Sequence, residues 1–335
     1  MNISIVGATG NVGRKILEVI EKKNFSFNNL YLLASKKSSG KKIFFKNKEY
    51  TIKNLEEFDF SECDISFFSA GAKVAEEFAE KAAKHSIVID NSSYFRMDPD
   101  VPLIVPQVNS KDLTKIKKNI IANANCSTIQ MVLALKPLHD NFIIKRIVVS
   151  TYQSVSGAGK DPMDELINQT KLALDNKQIK SKNFTKQIAF NAIPHIDTFS
   201  ENGYTKEEMK MIKETKKILD EKINVTATCV RIPVLISHAE SVNVEFEKEF
   251  SLENIKSFLD QADGCKVIDE QKDGGYITQV EAAGKYETFI SRIREDSTNK
   301  NAINLWIVSD NLLKGAALSA VEIAESLIEK DFYGK

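Results

Sequence analysis

The sequence lacks a long hydrophobic segment, a net charge and a secretory signal, and each absence excludes a class of protein. No apolar run in the 335 residues approaches the roughly 20 residues that cross a membrane. Lysine plus arginine and aspartate plus glutamate number 46 each, so no strong field favours binding to nucleic acid or to a membrane surface. The first apolar run has no basic segment before it, so we expect no signal peptide. We therefore expect a protein of the cytoplasm that contacts neither nucleic acid nor membrane.

Cysteine is also scarce. The four cysteines, Cys63, Cys126, Cys229 and Cys265, lie far apart in the sequence. Their spacing fits no metal-binding pattern, and such scattered cysteines suit a reducing compartment. We therefore expect no metal ion in this protein.

Cys126 differs from the other cysteines in its surroundings. A polar turn that ends at Asn125 runs into Cys126, and an apolar helical pattern begins directly afterwards. The free N–H groups and the positive end of the dipole at a helix N-terminus favour a thiolate, which is the nucleophile of cysteine chemistry. The segment therefore indicates a site that attacks an electrophilic carbon. A buried structural cysteine is the alternative, and this segment alone does not distinguish the two.

A strand, a glycine-rich turn and a helix open the chain. Residues 2–6 read as a buried strand, Gly7, Gly10 and Gly13 follow, and apolar residues then recur at helical spacing. This order is typical of the first unit of a dinucleotide-binding fold, where the glycines let the backbone approach a pyrophosphate at the helix N-terminus. An ordinary tight turn between a strand and a helix is the alternative.

The segment after the second strand lacks the acidic residue that an NAD enzyme usually has there. It contains four lysines and three serines instead, in Ser35-Lys36-Lys37-Ser38-Ser39-Gly40-Lys41-Lys42. Hydroxyls and cations suit the 2′-phosphate of NADP, so the segment predicts NADP as the cofactor. A solvated basic loop is the alternative.

The pattern of elements changes after Cys126. Before it, strands at 65–71 and 86–90 flank a helix at about 72–85, which predicts a parallel sheet covered on both faces. After it, longer strands at 146–152 and 241–246 predict a mixed, largely antiparallel sheet.

These patterns predict an α/β protein with two domains. A Rossmann-type NADP-binding domain covers residues 1–125 and is completed by an apolar C-terminal helix at 310–330. An α+β catalytic domain covers residues 126–309.

Short motifs occur in a defined order along nearly the whole chain. They are Gly7-Ala8-Thr9-Gly10-Asn11-Val12-Gly13, Asp90-Asn91-Ser92-Ser93-Tyr94-Phe95-Arg96, Asn125-Cys126-Ser127-Thr128, Gln153-Ser154-Val155-Ser156-Gly157-Ala158-Gly159, Glu207-Glu208-Met209-Lys210, Cys229-Val230-Arg231-Ile232-Pro233, His238 and Ser309-Asp310-Asn311-Leu312-Leu313-Lys314-Gly315. In this order they resemble the motifs of bacterial aspartate-β-semialdehyde dehydrogenases. The resemblance implies reversible, NADP-dependent conversion of L-aspartate 4-semialdehyde and phosphate to L-4-aspartyl phosphate. That step belongs to lysine, threonine, methionine and diaminopimelate biosynthesis, and the resemblance implies a homodimer or homotetramer formed through the second domain.

The resemblance also implies catalytic roles. Cys126 matches the nucleophile that forms a thioester, because a thiolate both adds to a carbonyl and leaves it readily. His238 matches the acid/base residue, since an imidazole titrates near neutral pH. Gln153 matches a residue that orients the substrate.

Binding roles follow from the same resemblance. Arg231 matches the ligand of the substrate carboxylate, Glu207 the ligand of its amine, and Lys210 and Arg96 the ligands of phosphate. The cofactor is implied to contact Gly7, Thr9, Gly10, Asn11, Val12, Ser35, Lys37, Ser38, Ala70, Gly71, Ser156, Gly157 and Asn311. A surface ion pair is the alternative for Glu207 and Lys210, and a pair with Asp98 or Asp100 is the alternative for Arg96.

Other proteins share this architecture. An N-acetyl-γ-glutamyl-phosphate reductase would carry an acylated amine, which needs no carboxylate such as Glu207. A relative of glyceraldehyde-phosphate dehydrogenase would prefer NAD. A non-catalytic, NADP-sensing protein would be expected to lose Cys126, His238 or Arg231, and the sequence has all of them.

Overall fold

The computed structural model describes residues 1–329, and this part of the chain divides into two compact units. The first unit contains Met1–Asn125 and the chain from Ala316 onward, and the second contains Cys126–Gly315. The functions assigned to residues 1–125 and 126–309 stay a prediction, and residue 330 of the predicted terminal helix lies outside the described residues.

Strands and helices alternate along the first part of the chain. The strands are β1 (Asn2–Val6), β2 (Asn29–Ala34), β3 (Lys42–Phe45), β4 (Lys48–Thr51), β5 (Lys53–Asn54), β6 (Ile65–Phe68), β7 (Ile87–Asp90), β8 (Leu103–Ile104), β9 (Ile120–Asn123), β10 (Ile144–Gln153), β11 (Asn224–Arg231), β12 (His238–Phe246), β13 (Cys265–Val267), β14 (Thr288–Asp296) and β15 (Asn299–Ser309). The helices are α1 (Asn11–Lys22), α2 (Ala72–Ala82), α3 (Pro106–Asn109), α4 (Cys126–Phe142), α5 (Lys160–Leu174), α6 (Lys206–Ile218), α7 (Leu252–Gln261), α8 (Gln279–Ala282) and α9 (Leu318–Glu329).

The first unit is built on a parallel sheet with the strand order β5–β2–β1–β6–β7–β9–β8. Its central strands are buried along nearly their whole length, as in β6, because helices cover both faces of a parallel sheet. The strand order reverses direction beside β1, between β2 and β6, which is where dinucleotides bind in such sheets. The Rossmann-type prediction is confirmed.

The second unit contains a mixed sheet with the order β11–β10–β12–β15–β14–β13. The pairs β10–β11 and β13–β14 are parallel, and the pairs β10–β12, β12–β15 and β14–β15 are antiparallel. The predicted mixed, largely antiparallel sheet is therefore confirmed. Helices α4, α6 and α7 contact this sheet, and an apolar core that includes Met131, Val149, Val242 and Leu305 is buried in this unit.

The C-terminal helix differs from its prediction. The α-helix begins at Leu318, and a π-helical turn at Leu313–Ala317 precedes it. Apolar periodicity did not reveal the wider turn, because five residues are too few to separate the spacing of a π-helix from that of an α-helix. Among residues 1–329, no helix is both long enough and apolar enough to span a membrane.

Candidate active site

Cys126 is the first residue of α4 in the second unit. Its side chain is partly exposed, whereas Cys63 and Cys229 are buried. Burial raises the pKa of Cys63 and of Cys265 to about 12, and it also raises the pKa of Cys229. Cys126 therefore combines a helix N-terminus with access to solvent, which the buried cysteines lack.

Strand direction brings three predicted residues to one end of the sheet. Gln153 ends β10 and Arg231 ends the parallel strand β11, where the two residues are register partners. His238 begins β12, which runs antiparallel to β10, so its first residue lies at the same end. All three side chains are at most 7% exposed.

Hydrogen bonds connect this group to α6. Gln153 Nε2 donates to Glu207 Oε1 at 3.2 Å, and Lys210 Nζ donates to Glu207 Oε2 at 2.9 Å. Lys210 also contacts Asp197 Oδ2 at 3.1 Å. Burial acts to lower the pKa of Lys210, but the attraction of Glu207 and Asp197 outweighs it and raises the pKa. The structure thus contains an ion pair between Glu207 and Lys210, which was the alternative to substrate binding by these residues. Glu207 is buried, so the pair does not lie wholly at the surface.

The start of α6 explains why Glu207 faces the group. Thr205 accepts from the backbone N–H of Glu208, and Glu208 Oε2 accepts from the backbone N–H of Thr205 at 2.7 Å, which forms a capping box. Glu208 Oε1 also accepts from the N–H of Cys229 at 3.0 Å and so joins α6 to β11. The capping box occupies Glu208 and leaves the neighbouring Glu207 for the interior.

Arg231 is a buried cation at this site. Its Nη1 donates to the carbonyl oxygen of Ser154 at 2.6 Å, which fixes the guanidinium beside the end of β10. Burial lowers the pKa of Arg231, while the negative charges of Glu207 and Cys126 oppose this change. A negative charge on Cys126 would therefore lie within electrostatic reach of the guanidinium.

His238 is completely buried, and its hydrogen bonds define its protonation. The backbone N–H of Ser154 donates to Nδ1 at 3.1 Å, so Nδ1 must carry a lone pair and the neutral ring carries its proton on Nε2. Burial, and then the positive charge of Arg231, lower the pKa of His238 to about 3. Over residues 1–329, Nε2 has no hydrogen-bond partner. His238 is therefore a neutral donor in this arrangement.

Two glycines give the site its shape. A Cβ on Gly157 would lie 3.2 Å from Nε2 of His238 and 3.3 Å from Nη1 of Arg231. A Cβ on Gly315 would lie 2.7 Å from Cβ of Cys126. Glycine main chain therefore borders Cys126 on one side and the side chains of His238 and Arg231 on another.

Asn311 and the serines next to Gln153 form a buried network. Asn311 Oδ1 accepts from Ser154 Oγ and Ser156 Oγ, each at 3.1 Å, and from the backbone N–H of Ser237 at 2.9 Å. The predicted cofactor residues Ser156, Gly157 and Asn311 thus adjoin the catalytic candidates of the second unit.

The remaining cofactor candidates lie in the first unit, after the carboxyl ends of β1, β2 and β6. Gly7 has φ +86°, its N–H donates to the carbonyl of Leu33 at 2.9 Å, and a Cβ there would lie 2.9 Å from the carbonyl of Ser69. A Cβ on Gly13 would lie 2.3 Å from the carbonyl oxygen of Gly7. Thr9, Gly10, Asn11 and Val12 follow this turn, Ser35, Lys37 and Ser38 follow β2, and Ala70 and Gly71 follow β6.

Arg96 also belongs to the first unit and is buried there. Its Nε donates to the carbonyl of Asn123 at 2.9 Å, and its Nη2 donates to the carbonyl of Asn91 at 2.8 Å. Asp98 contacts Lys118 and Asp100 contacts Lys117, and a pair of Arg96 with one of these carboxylates stays the alternative to phosphate binding.

Two buried residues near the site were missed by sequence reasoning. Gln130 lies four residues after Cys126 on α4, and Glu240 lies two residues after His238 on β12, so each lies on the same face of its element as the catalytic candidate. Burial raises the pKa of Glu240 well above its ordinary value of 4.5, and proximity to Gln130 opposes this. Among residues 1–329, neither side chain makes a hydrogen bond of ordinary geometry. The spacing of Gln130 from Cys126 and of Glu240 from His238 was the feature of the sequence that could have identified them.

No metal centre accompanies these groups, since residues 1–329 contain no cluster of three His, Cys, Asp or Glu side chains able to hold an ion.

Comparison with known proteins gives the family. The family model described as semialdehyde dehydrogenase, NAD binding domain, matches residues 2–116, and the one described as semialdehyde dehydrogenase, dimerisation domain, matches residues 135–314. The aspartate-semialdehyde dehydrogenase of Aquifex aeolicus (strain VF5) is 53% identical and covers 98% of each chain. The chain belongs to the aspartate-semialdehyde dehydrogenase family.

Solved structures of aspartate-semialdehyde dehydrogenases have the same fold. Aspartate semialdehyde dehydrogenase II of Vibrio cholerae, complexed with ASA, has a TM-score of 0.96 at 48% identity and covers 98% of each chain. The enzyme of Candida albicans, determined with NADP, has a TM-score of 0.75 at 26% identity, over 98% of this chain and 99% of that one. This member of the aspartate-semialdehyde dehydrogenase family is accordingly an oxidoreductase with a nicotinamide-cofactor domain and a dimerisation domain.

Proposed function

We propose that this protein catalyses the reversible, NADP-dependent conversion of L-aspartate 4-semialdehyde and phosphate into L-4-aspartyl phosphate through a thioester on Cys126. The observation that carries the proposal is the cluster in the second unit. There, the buried cation Arg231 interacts electrostatically with the partly exposed thiol at the start of α4 and with the buried carboxylate Glu207, and Arg231 and the neutral imidazole of His238 both border Gly157.

The charges of this cluster suit an amino acid. Arg231 offers a planar cation for the α-carboxylate, and Glu207 offers an anion for the α-amine. A buried carboxylate is costly without a cation, so the amine of the substrate would join Lys210 as a partner of Glu207. An N-acetylated substrate has no such cation, and the burial of Glu207 therefore favours a free amino acid.

The first half-reaction forms the thioester. The Cys126 thiolate attacks the aldehyde carbon, a C–S bond forms, and the carbonyl oxygen becomes negative. The N–H group at Nε2 of His238 stabilises the negative oxygen by donating a hydrogen bond to it. A proton that moves to the oxygen returns to Nε2 when the carbonyl forms again. NADP, when bound, supplies the acceptor for the hydride that leaves this carbon.

The second half-reaction releases the product. A phosphate oxygen attacks the thioester carbon, the C–S bond breaks, Cys126 leaves as a thiolate, and the proton of the attacking phosphate passes to solvent water. Following the family pattern, we assign phosphate binding to Lys210 and Arg96, and orientation of the substrate to Gln153.

The first unit fits a dinucleotide with a 2′-phosphate. A side chain on Gly7 or Gly13 would fill the turn that a pyrophosphate requires. Lys37 and Ser38 lie in a 3₁₀ turn directly after β2, in a segment without an acidic residue. The glycine turn favours a dinucleotide, the segment after β2 favours NADP, and the Candida albicans relative was determined with NADP.

The biological setting follows from the family. We infer that the reaction serves lysine, threonine, methionine and diaminopimelate biosynthesis in the cytoplasm. We also infer a homodimer or homotetramer, supported by the match of residues 135–314 to a dimerisation domain.

The decisive experiment is an assay of the purified full-length protein. Reduction of NADP should require both aspartate semialdehyde and phosphate, and N-acetylglutamate semialdehyde should be a far poorer substrate. Absence of turnover with aspartate semialdehyde, or preference for the acetylated substrate, would exclude the proposed function.

A further inference from the structure

The structure raises the question of which positive group stabilises the Cys126 thiolate before substrate binds. A cysteine–histidine pair commonly uses an imidazolium for this purpose. An imidazolium must carry a proton on Nδ1 as well as on Nε2.

The main chain disfavours that form of His238: Ser154 Oγ, 3.1 Å from Nδ1, could accept a hydrogen bond from it, but the backbone N–H of Ser154 donates to the same nitrogen. The N–H of Ser154 can only donate, and it donates to Nδ1 at 3.1 Å from a completely buried position. A second proton on Nδ1 would place two N–H groups against each other, so it requires that this hydrogen bond break. The low pKa of His238, about 3, agrees with this geometry.

Arg231 offers the missing positive charge. Its Nη1 is fixed at 2.6 Å from the carbonyl of Ser154, and it flanks the Cα of Gly157 together with Nε2 of His238. An arginine keeps its charge at every pH at which the protein is folded, and a buried charge acts more strongly than an exposed one. The α4 N-terminus supplies further positive potential at Cys126.

We propose that Arg231 and the N-terminus of α4 stabilise the Cys126 thiolate in the free enzyme, and that His238 remains neutral until substrate arrives. Arg231 then has a second role, since its charge activates the nucleophile and its planar fork later binds the substrate carboxylate. This inference rests on the proposed role of Cys126 as the nucleophile.

Other charged groups around Cys126 come from the elements packed near it. Glu207 on α6 opposes a thiolate, and its charge is partly balanced by Lys210. Lys314, in the π-helical turn, is buried with Nζ beside Gly264 and raises the positive potential near Cys265. Burial raises the pKa of Glu240 on β12, which favours its uncharged form. Substitutions of Arg231 or His238 leave all of these groups in place.

The test is the pH dependence of Cys126 alkylation by iodoacetamide, measured on the full-length protein without substrates. Arg231→Met removes the charge but keeps much of the volume, and should raise the pH midpoint of alkylation by about one unit or more. Arg231→Lys keeps the charge and should shift the midpoint by less than half as much. His238→Gln should leave it nearly unchanged.

Controls separate these effects from misfolding and from other thiols. Cys126→Ala reports background labelling of the remaining cysteines, and thermal unfolding checks that each variant is folded. If Arg231→Met unfolds the protein, the comparison of Arg231→Lys with His238→Gln still decides, because an imidazolium partner predicts the larger shift for His238→Gln.

Three results would overturn the inference. These are a larger shift for His238→Gln than for Arg231→Met, equal shifts for Arg231→Lys and Arg231→Met, or no shift in any variant. The alkylation needs no aldehyde, phosphate or NADP, so it gives an answer even if the proposed substrate is wrong.

Discussion

The turn after β1 and the cluster around Cys126 are built by different means. The turn consists of main-chain groups from residues close together in the sequence, and its glycines matter because of the side chains they lack. The cluster consists of side chains from four separate elements, most of them buried and charged or polar. Electrostatic interactions are stronger in a buried site, so single substitutions in the cluster should have much larger effects than those beside the turn.

The largest effect is expected at Cys126. Cys126→Ala removes the atom that forms the thioester, so turnover should fall below a tenth of wild type, and by several further orders of magnitude if no other group replaces it. Cys126→Ser should be nearly as inactive, because an alkoxide forms poorly and leaves poorly. NADP binding, measured by fluorescence titration, should remain. Cys265→Ala is the matched control and should retain activity.

Arg231→Lys tests whether the cluster depends on geometry as well as on charge. An ammonium cannot reproduce the planar fork, so the KM for aspartate semialdehyde should rise by about ten- to a hundredfold. The KM for phosphate, measured with semialdehyde saturating, should change much less. An unchanged semialdehyde KM would assign the carboxylate to another residue.

Arg96→Ala tests whether the first unit also contributes a catalytic side chain. Loss of a charge-assisted bond should raise the KM for phosphate by about ten- to a hundredfold and spare the semialdehyde. Because Arg96 also donates to the carbonyls of Asn91 and Asn123, thermal stability should fall as well. A rise in the semialdehyde KM with phosphate unaffected would exchange the roles of Arg96 and Arg231.

Cofactor preference should depend on exposed side chains beside the turn and should be smaller. We expect kcat/KM for NADP to exceed that for NAD by at least about tenfold, or 1.4 kcal/mol. Replacement of Lys37 and Ser38 by alanine should reduce the ratio, mainly through NADP. Equal use of the two cofactors by the native protein would contradict the reading of residues 35–42.

The smallest effect on turnover is expected at Glu240, where a substitution should instead change the pH dependence of stability. A carboxyl whose pKa is raised by folding stabilises the protein below its unfolded pKa, and this contribution is lost as pH rises toward the folded pKa. Glu240→Gln should therefore gain stability relative to wild type as pH rises above about 4.5, by up to about 1.4 kcal/mol per pH unit. Urea unfolding across this range measures the difference, and a constant difference would show that Glu240 is not neutral in the fold.

The two regions also differ in how far sequence could predict them. The turn after β1 was predictable because its strand, glycines and helix are contiguous, and the position of Cys126 at a helix start was predictable for the same reason. The register of Gln153 with Arg231 was not, because it depends on which strands pair. The position of His238 beside Gln153 and Arg231 was not predictable either, because it depends on the antiparallel direction of β12 relative to β10.

Finer features required the structure. The tautomer of His238 depends on a main-chain N–H 84 residues away, and no side-chain pattern reports such a bond. The regular helix predicted for the C-terminus begins only at Leu318, after a π-helical turn, and five residues are too few for apolar spacing to identify such a turn. Gln130 and Glu240 were detectable only once Cys126 and His238 had been placed on their elements.

The approach of Gly315 to Cys126 has a consequence for the evolution of new specificities. A wall made of main chain cannot be reshaped by exchanging one side chain for another, and any larger residue at this position would displace the thiol. The groups that select the substrate, such as Arg231 and Glu207, are side chains and are open to replacement. Selection for a different aldehyde would therefore act on those positions, while the location of the nucleophile stays constant.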